Sequence, residues 1–253
     1  EMQRLADRVA VVTASSKGIG FAIARRLAQE GAKVILSSRK QENVDEAVAQ
    51  LAQEGLTVFG LASHVGQADD REKLIRTTVE KFGGIDILVS NAAANPYFGP
   101  LLDTPSAAWA KTFDTNVTST FELCKVAVPE LKKSSRASLV FVSSIAAFRP
   151  LAGLGCYNVT KTALIGLTNN LAIELAPEGI RVNAIAPGII KTDFSKTLWN
   201  DPKINKATVR EIPLGYVGEP DQIAGTAAYL CSDDSSYVTG ETIVVSGGMA
   251  AYR

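Results

Sequence analysis

The sequence predicts an α/β fold, a doubly wound parallel sheet with helices on both faces, built as a single domain. Three observations carry this. Short β-branched runs alternate with helical patterns along the whole chain, as parallel strands joined by helical crossovers do. Several runs, such as Val9-Ala10-Val11-Val12, are apolar without interruption, which suits strands buried on both sides. No linker rich in Pro, Gly or Ser, no low-complexity tract and no repeat divides the 253 residues.

Taken in order, residues 8–13 read as a strand and 18–30 as a helix closed by Gly31. A strand over 33–37 leads to a helix over 41–54, stopped by Gly55. Residues 56–61 form a third strand, and 69–82 a helix ending before Gly83-Gly84. A strand over 85–89 precedes a long helix within about 112–133. Strand 138–142, helix 157–176 and strand 181–185 follow. Residues 190–218 are polar and irregular, and a helix over 220–230 and a strand over 242–245 finish the series.

Composition narrows the function. Lys plus Arg and Asp plus Glu each number 26, so the net charge is zero. A protein that wraps nucleic acid by charge needs a basic excess, so no nucleic-acid partner is expected. The most apolar stretch, 137–148, is shorter than the roughly 18 residues of a spanning helix and runs into Arg149, so no membrane span is expected. Cys124, Cys156 and Cys231 lie far apart with no Cys-x-x-Cys spacing, which favours reduced, buried thiols in an intracellular compartment. His64 is the single histidine. Zinc sites built on two histidines are therefore impossible, and a Ser-His-Asp hydrolase would have to use this one residue. No metal site is assigned.

The first strand runs straight into Thr13-Ala14-Ser15-Ser16-Lys17-Gly18-Ile19-Gly20, where a helix opens. A turn with little side chain lets backbone N–H groups approach a pyrophosphate, and the helix N-terminus adds a partial positive charge. Thr13, Ser15, Ser16, Lys17, Gly18 and Ile19 are accordingly candidate cofactor contacts. Strand two ends Ser37-Ser38-Arg39-Lys40. NAD enzymes place an acid here for the ribose 2′-hydroxyl. Arg39 instead suits a 2′-phosphate, with Ser37, Ser38 and Lys17 nearby, so NADP(H) is the expected cofactor. The alternative is that Arg39 and Lys17 are solvated surface charges.

Ser143-Ser144 follows strand five, and thirteen positions after Ser144 comes Tyr157-Asn158-Val159-Thr160-Lys161. Residues four apart share a helix face. A free phenol ionises near pH 10. An ammonium about 4 Å away at an effective dielectric of about 20 contributes roughly 4 kcal/mol, about three pKa units, so Lys161 is expected to bring Tyr157 toward proton transfer near neutrality. Ser144, at a strand end, is placed to hydrogen-bond a substrate oxygen. A chance Tyr/Lys helical pair is the alternative, and context decides between them.

The phosphate turn, Asn91-Ala92-Ala93, Asn116, Ser144, Tyr157/Lys161 and Pro187-Gly188 occur in an order and spacing that resembles the short-chain dehydrogenase/reductase family along essentially the whole chain. Within it, residues 38–45, His64-Val65-Gly66, residues 143–148 and Tyr237-Val238-Thr239-Gly240-Glu241-Thr242 are similar to the peroxisomal NADPH-dependent carbonyl (retinal) reductase branch. The resemblance implies a Rossmann-like fold, with Tyr157 as proton donor to the carbonyl oxygen and Ser144 as its hydrogen-bonding partner. It implies that Lys161 holds the ribose hydroxyls and lowers the tyrosine pKa, and that Asn116 supports a proton relay to Lys161. Thr192 is then the carboxamide contact, and Asn91 braces the central strand beside the adenosine. His64, Val65, Ala92, Pro187, Gly188 and Ile190 complete the implied cofactor contacts.

Three features depart from the family pattern. Ala14 replaces the first glycine of the phosphate turn, and Ala94 follows Asn91-Ala92-Ala93 where many members have a glycine earlier. His64 stands where many have an acid touching adenine, and is either that contact or a structural strand-end histidine. The chain ends Ala250-Ala251-Tyr252-Arg253 rather than in a Ser-Lys-Leu-type address, so a cytoplasmic location is favoured over a peroxisomal one.

Phe194, Leu198 and Trp199 after Pro187-Gly188, and Pro96, Tyr97 and Phe98 after strand four, are expected to overhang the nicotinamide end. They either line an apolar substrate pocket or pack the lid onto the core. The expected function is NADPH-dependent reduction of small lipophilic carbonyl compounds, with alcohol oxidation as the reverse. Retinal-like aldehydes, aromatic ketones and α-dicarbonyls are what the resemblance implies, as is a homotetramer. Two rivals stand. One is a 3-oxoacyl-carrier-protein reductase, with Lys132, Lys133, Arg136 and Arg149 as its basic rim. The other is a catalytically silent NADP-binding protein, against which the complete Asn116, Ser144, Tyr157 and Lys161 set argues.

Overall fold

A computed structural model describes residues 3–249. Strand β1 (Val9–Val12) leads through α1 (Gly18–Gln29) to β2 (Lys33–Ser38), α2 (Gln41–Gln53), β3 (Val58–Ala62) and α3 (Ala68–Phe82). The second half runs β4 (Ile87–Ser90), α4 (Ser106–Phe113), α5 (Ser119–Leu131), β5 (Ser138–Val142), α6 (Gly155–Leu175) and β6 (Arg181–Pro187). It closes with α7 (Lys196–Trp199), α8 (Pro202–Arg210), α9 (Pro220–Cys231) and β7 (Thr242–Val245). The seven strands form one sheet in the order β3-β2-β1-β4-β5-β6-β7, and every pairing is parallel.

Alternate strand residues face opposite sides. Ala10 and Val12 enter a core that includes Ile23 and Leu27 of α1, Leu51 of α2 and Ala227 of α9. Val11 enters the other, with Leu74 of α3, Leu123 of α5 and Ala172 of α6. Both faces are therefore dry, which is why the strand sequences do not alternate. Cys124, Cys156 and Cys231 are buried free thiols.

The chain leaves β1 toward β2 on one side and reaches β4 on the other. Strand order reverses between β1 and β4, and in open α/β sheets the cleft beyond the carboxyl ends at such a reversal holds the ligand.

Two expectations need correction. The helix expected over 112–133 starts at Ser106, and a π turn, Asp114–Thr118, interrupts it. A regular apolar period hides one inserted residue, so the sequence shows no break. The irregular stretch expected over 190–218 contains a 3₁₀ turn (Asp193–Ser195), α7 and α8. Asp201 caps α8, accepting from the N–H groups of Lys203 (2.8 Å) and Ile204 (3.0 Å), a local signal that the polar composition masked.

Candidate active site

Each candidate segment lies at the carboxyl edge of the sheet. The turn after β1 is held from three directions. Thr13 Oγ1 accepts from the N–H groups of Asn91 (3.0 Å) and Ala92 (3.4 Å). Asn91 Nδ2 donates to the carbonyls of Thr13 (3.2 Å) and Ala14 (3.0 Å). Ser15 Oγ donates to Val12 O (2.7 Å) and accepts from Ser37 N–H (3.0 Å), tying the turn to β2. The hydroxyls of Thr13 and Ser15 thus shape the loop from beneath, while half-buried Ser16, Gly18 and Ile19 and exposed Lys17 form its outer side.

Asn91 also explains Gly20, the last residue of the phosphate turn. A Cβ at Gly20 would lie 2.4 Å from Ala14 O and 2.5 Å from Asn91 Nδ2. Ala14 adopts φ 50°, the left-handed region glycine occupies without strain. The turn keeps a glycine's geometry although it carries a methyl group.

Ser38, the last residue of β2, is half-buried, and Arg39 after it is exposed. The Ser37 hydroxyl is fully buried and has no hydrogen-bond partner among the described residues, although buried hydroxyls usually find one. On the loop after β3, His64 Nδ1 accepts from Gly66 N–H (3.0 Å), and the His64 N–H donates to Asp70 Oδ2 (2.7 Å). Arg71 Nη1 donates to Val65 O (2.6 Å). Asp70 and Arg71, which no motif in the sequence marks, fix the loop that carries His64 and Val65.

After β6, Gly188 N–H donates to Val245 O (2.8 Å), and a Cβ at Gly188 would lie 2.7 Å from Ser246 Cα. Pro187-Gly188 therefore turns where only a bare backbone fits. Ile190 is buried, and its carbonyl accepts from Ser195 Oγ. Thr192 caps the 3₁₀ turn reciprocally with Ser195, and its carbonyl accepts from Trp199 Nε1 (3.1 Å).

These segments fit a nicotinamide dinucleotide. The turn opens a helix N-terminus, the Ser37 hydroxyl, unpartnered among the described residues, lies next to the end of β2, and no acid stands among residues 37–40. Lys17 to Ile19, Ser37 to Arg39, His64-Val65 and Thr192 are the groups that would hold it.

Tyr157, Lys161 and Ser144 come together between β5 and α6. The phenol is only 8% exposed and the lysine 2%. Lys161 Nζ sits 5.4 Å from the Tyr157 ring centroid and donates to Val142 O (2.8 Å) at the end of β5. Ser144 Oγ accepts from Ala146 N–H (3.1 Å) and stands beside the phenol, whose pKa it lowers. Ser143, which the sequence marked with no role of its own, donates to Lys161 O (2.8 Å) and pins the helix to the strand end.

The electrostatics correct one expectation. Burial pushes the Tyr157 phenol up to about 12, with the neighbouring Ser144 hydroxyl only partly opposing it, and lowers Lys161 to about 7. The anticipated three-unit depression of the tyrosine is absent. Desolvation disfavours both charges, so the amine is about half neutral at pH 7. Its hydrogen bond goes to the Val142 carbonyl, and it lies over the Tyr157 ring. The phenol therefore keeps its proton at neutral pH.

Asn116 lies in the π turn and is fully buried. Its Nδ2 donates to Ala94 O (3.1 Å) and Thr160 Oγ1 (3.0 Å), and its Oδ1 accepts from Ala94 N–H (2.7 Å). Asn116 thus joins the loop after β4 to the Tyr157–Lys161 helix turn. Its partner Thr160 was legible only as a residue one turn after Tyr157.

Two loops converge on the start of α6. Phe194 stacks on Tyr157, with centroids 5.4 Å apart and planes tilted by 37°. Gly99 N–H donates to Gly153 O (3.0 Å), and the Phe98 ring covers Gly153. Trp199 instead packs against Ile145, Ile212, Val217 and Met249. Phe194 therefore faces the Tyr157 phenol ring, and Trp199 anchors the segment.

Over residues 13–250 the chain matches the family model described as enoyl-(acyl carrier protein) reductase. It is 57% identical over 244 residues to human "Dehydrogenase/reductase SDR family member 4", covering 96% of this chain and 88% of that protein. The protein of the same name from Oryctolagus cuniculus is 56% identical, covering 96% of this chain and 94% of its own. A short-chain type dehydrogenase/reductase from Mycobacterium ulcerans superposes with a TM-score of 0.94 at 31% identity, covering 98% of this chain and 91% of the other.

Proposed function

The chain belongs to the short-chain dehydrogenase/reductase family and is an oxidoreductase, and we propose that it is an NADPH-dependent reductase of small lipophilic carbonyl compounds. Aromatic ketones, α-dicarbonyls and retinal-like aldehydes are the class, with alcohol oxidation as the reverse. The observation that carries this is a buried Tyr157 phenol that burial keeps protonated, with Ser144 beside it and the Phe194 ring facing it.

Bound NADPH would supply a hydride to the carbonyl carbon. The chain's own groups do the rest. Ser144 orients the carbonyl oxygen, and Tyr157 transfers its proton to that oxygen as negative charge develops there, a general-acid contribution of about 10²–10⁴ in rate. Lys161 favours the phenolate left behind once it carries its proton. Asn116 and Thr160 hold that helix turn in register with the loop after β4. Preference for the 2′-phosphate rests on Arg39, Ser38 and Lys17 together with the absence of an acid after β2.

A carrier-protein substrate is the less favoured reading. Lys132, Lys133 and Arg136 precede β5 and so lie at the amino edge of the sheet, opposite Ser144. Lys132 pairs with Glu178 (2.9 Å), Lys133 with Glu130 (2.8 Å) and Arg149 with Glu211 (2.6 Å). The side chains offered as a basic rim are thus at the far edge of the sheet or paired with acids. Exposed Phe121 on α5 and Val159 on α6, with the edge strand β7, support a homotetramer, which light scattering tests. The three buried, unbridged cysteines support an intracellular location.

A panel of benzil, retinal and an acetoacetyl thioester, each followed with NADPH and NADH, tests the reading. We expect benzil or retinal with NADPH to give the highest kcat/KM. Preference for the thioester or for NADH would overturn it.

A further inference from the structure

Across the cleft, Lys17 of the phosphate turn and Asp193 of the 3₁₀ turn form an ion pair, Nζ to Oδ2 2.5 Å. The two side chains are 71% and 67% exposed, so packing does not force them together. Beside the pair, Thr192 Cγ2 would lie 3.3 Å from a Cβ at Gly18, so the same two loops meet twice. Next along the chain, Phe194 lies on the Tyr157 ring.

The 3₁₀ turn is short and closed on itself by the reciprocal Thr192–Ser195 cap. Asp193 and Phe194 consequently move as one piece. If the proposed function holds, Lys17 has two claimants, the Asp193 carboxylate and the 2′-phosphate of NADPH. A phosphate carries more charge and more acceptor oxygens than one carboxylate, so it wins the ammonium.

We propose that Asp193 and the nucleotide 2′-phosphate compete for Lys17, and that this competition controls how Phe194 covers Tyr157. Asp193 is then a positioning residue. While it holds Lys17, Phe194 lies on the face of the phenol that a carbonyl substrate approaches. When the 2′-phosphate takes Lys17, the turn is released and Phe194 becomes a movable wall for an aromatic or alkyl group. The nucleotide that recognises the turn thereby opens the way for its co-substrate.

The test is direct binding. Dissociation constants for NADPH and NADH are measured by nucleotide fluorescence on wild type, Asp193→Asn and the Lys17→Met/Asp193→Asn double variant. Benzil binding is measured by calorimetry without nucleotide. Asp193→Asn should tighten NADPH about two- to fivefold, the range an exposed ion pair spans, and leave NADH unchanged. Adding Lys17→Met should cancel the gain. Asp193→Asn should also tighten benzil binding to the protein alone by a similar factor. Equal shifts for NADPH and NADH, or none, overturn the competition. Unchanged benzil binding overturns the link to Phe194. Failure of the wild type to oxidise NADPH with any carbonyl compound would instead remove the functional reading, while the nucleotide constants still report on Lys17 and Asp193.

Discussion

Replacing Lys161 by methionine should make the protein more stable at neutral pH while removing its turnover. The amine is 2% exposed, and burial lowers its pKa from 10.5 to about 7. At about 1.36 kcal/mol per unit, carrying that charge into the interior costs roughly 5 kcal/mol below pH 7. Methionine fills a similar volume without charge, but it leaves Val142 O without the Nζ donor, a loss of about 1–3 kcal/mol. The variant should therefore gain about 1–3 kcal/mol at pH 7. A lysine whose pKa falls on folding binds more protons in the unfolded chain, so wild-type stability from this group rises with pH between about 7 and 10.5. Between pH 7 and pH 9 that rise is about 2 kcal/mol, and the methionine variant lacks it. Urea unfolding of both proteins at the two pH values, at matched concentration, gives the difference of differences. Stabilities that change in parallel with pH would show that Lys161 is not discharged by burial, and the reasoning would fall.

Two further substitutions test the phosphate turn. Ala14→Gly removes a methyl group from a residue at φ 50°, a strain of about 1–2 kcal/mol, and gives back about 0.4–1 kcal/mol in unfolded-chain entropy. A Tm rise of up to about 4 °C by calorimetry is expected, and a clear fall would contradict it. Asn91→Ala strips the donor from two loop carbonyls. By titration calorimetry NADPH affinity should weaken about 5- to 100-fold, the equivalent of about 1–3 kcal/mol. Undiminished affinity would mean that the loop holds its shape without Asn91.

The sheet was legible because its strands are apolar on both faces, a pattern that a run such as Val9–Val12 carries locally. The tyrosine–lysine pair was legible because four residues make one helical turn. What stayed hidden depends on neighbours distant in sequence. Ser15 and Asn91 brace the turn only because β1 lies between β2 and β4. The helices within 190–218 rest on Trp199 reaching back to Thr192 and on the Asp201 cap. Most of all, the protonation of Tyr157 and Lys161 follows from burial. Spacing says that two groups are close, and says nothing of how much water they have lost.

Tyr157→Phe tests the role of the phenol most directly. Removing one oxygen leaves the ring, its stacking with Phe194 and the nucleotide contacts in place. NADPH binding by fluorescence should stay within about twofold, while NADPH oxidation with benzil falls at least about 100-fold, the loss of a general acid. Turnover within tenfold of wild type would show that the carbonyl oxygen takes its proton from elsewhere.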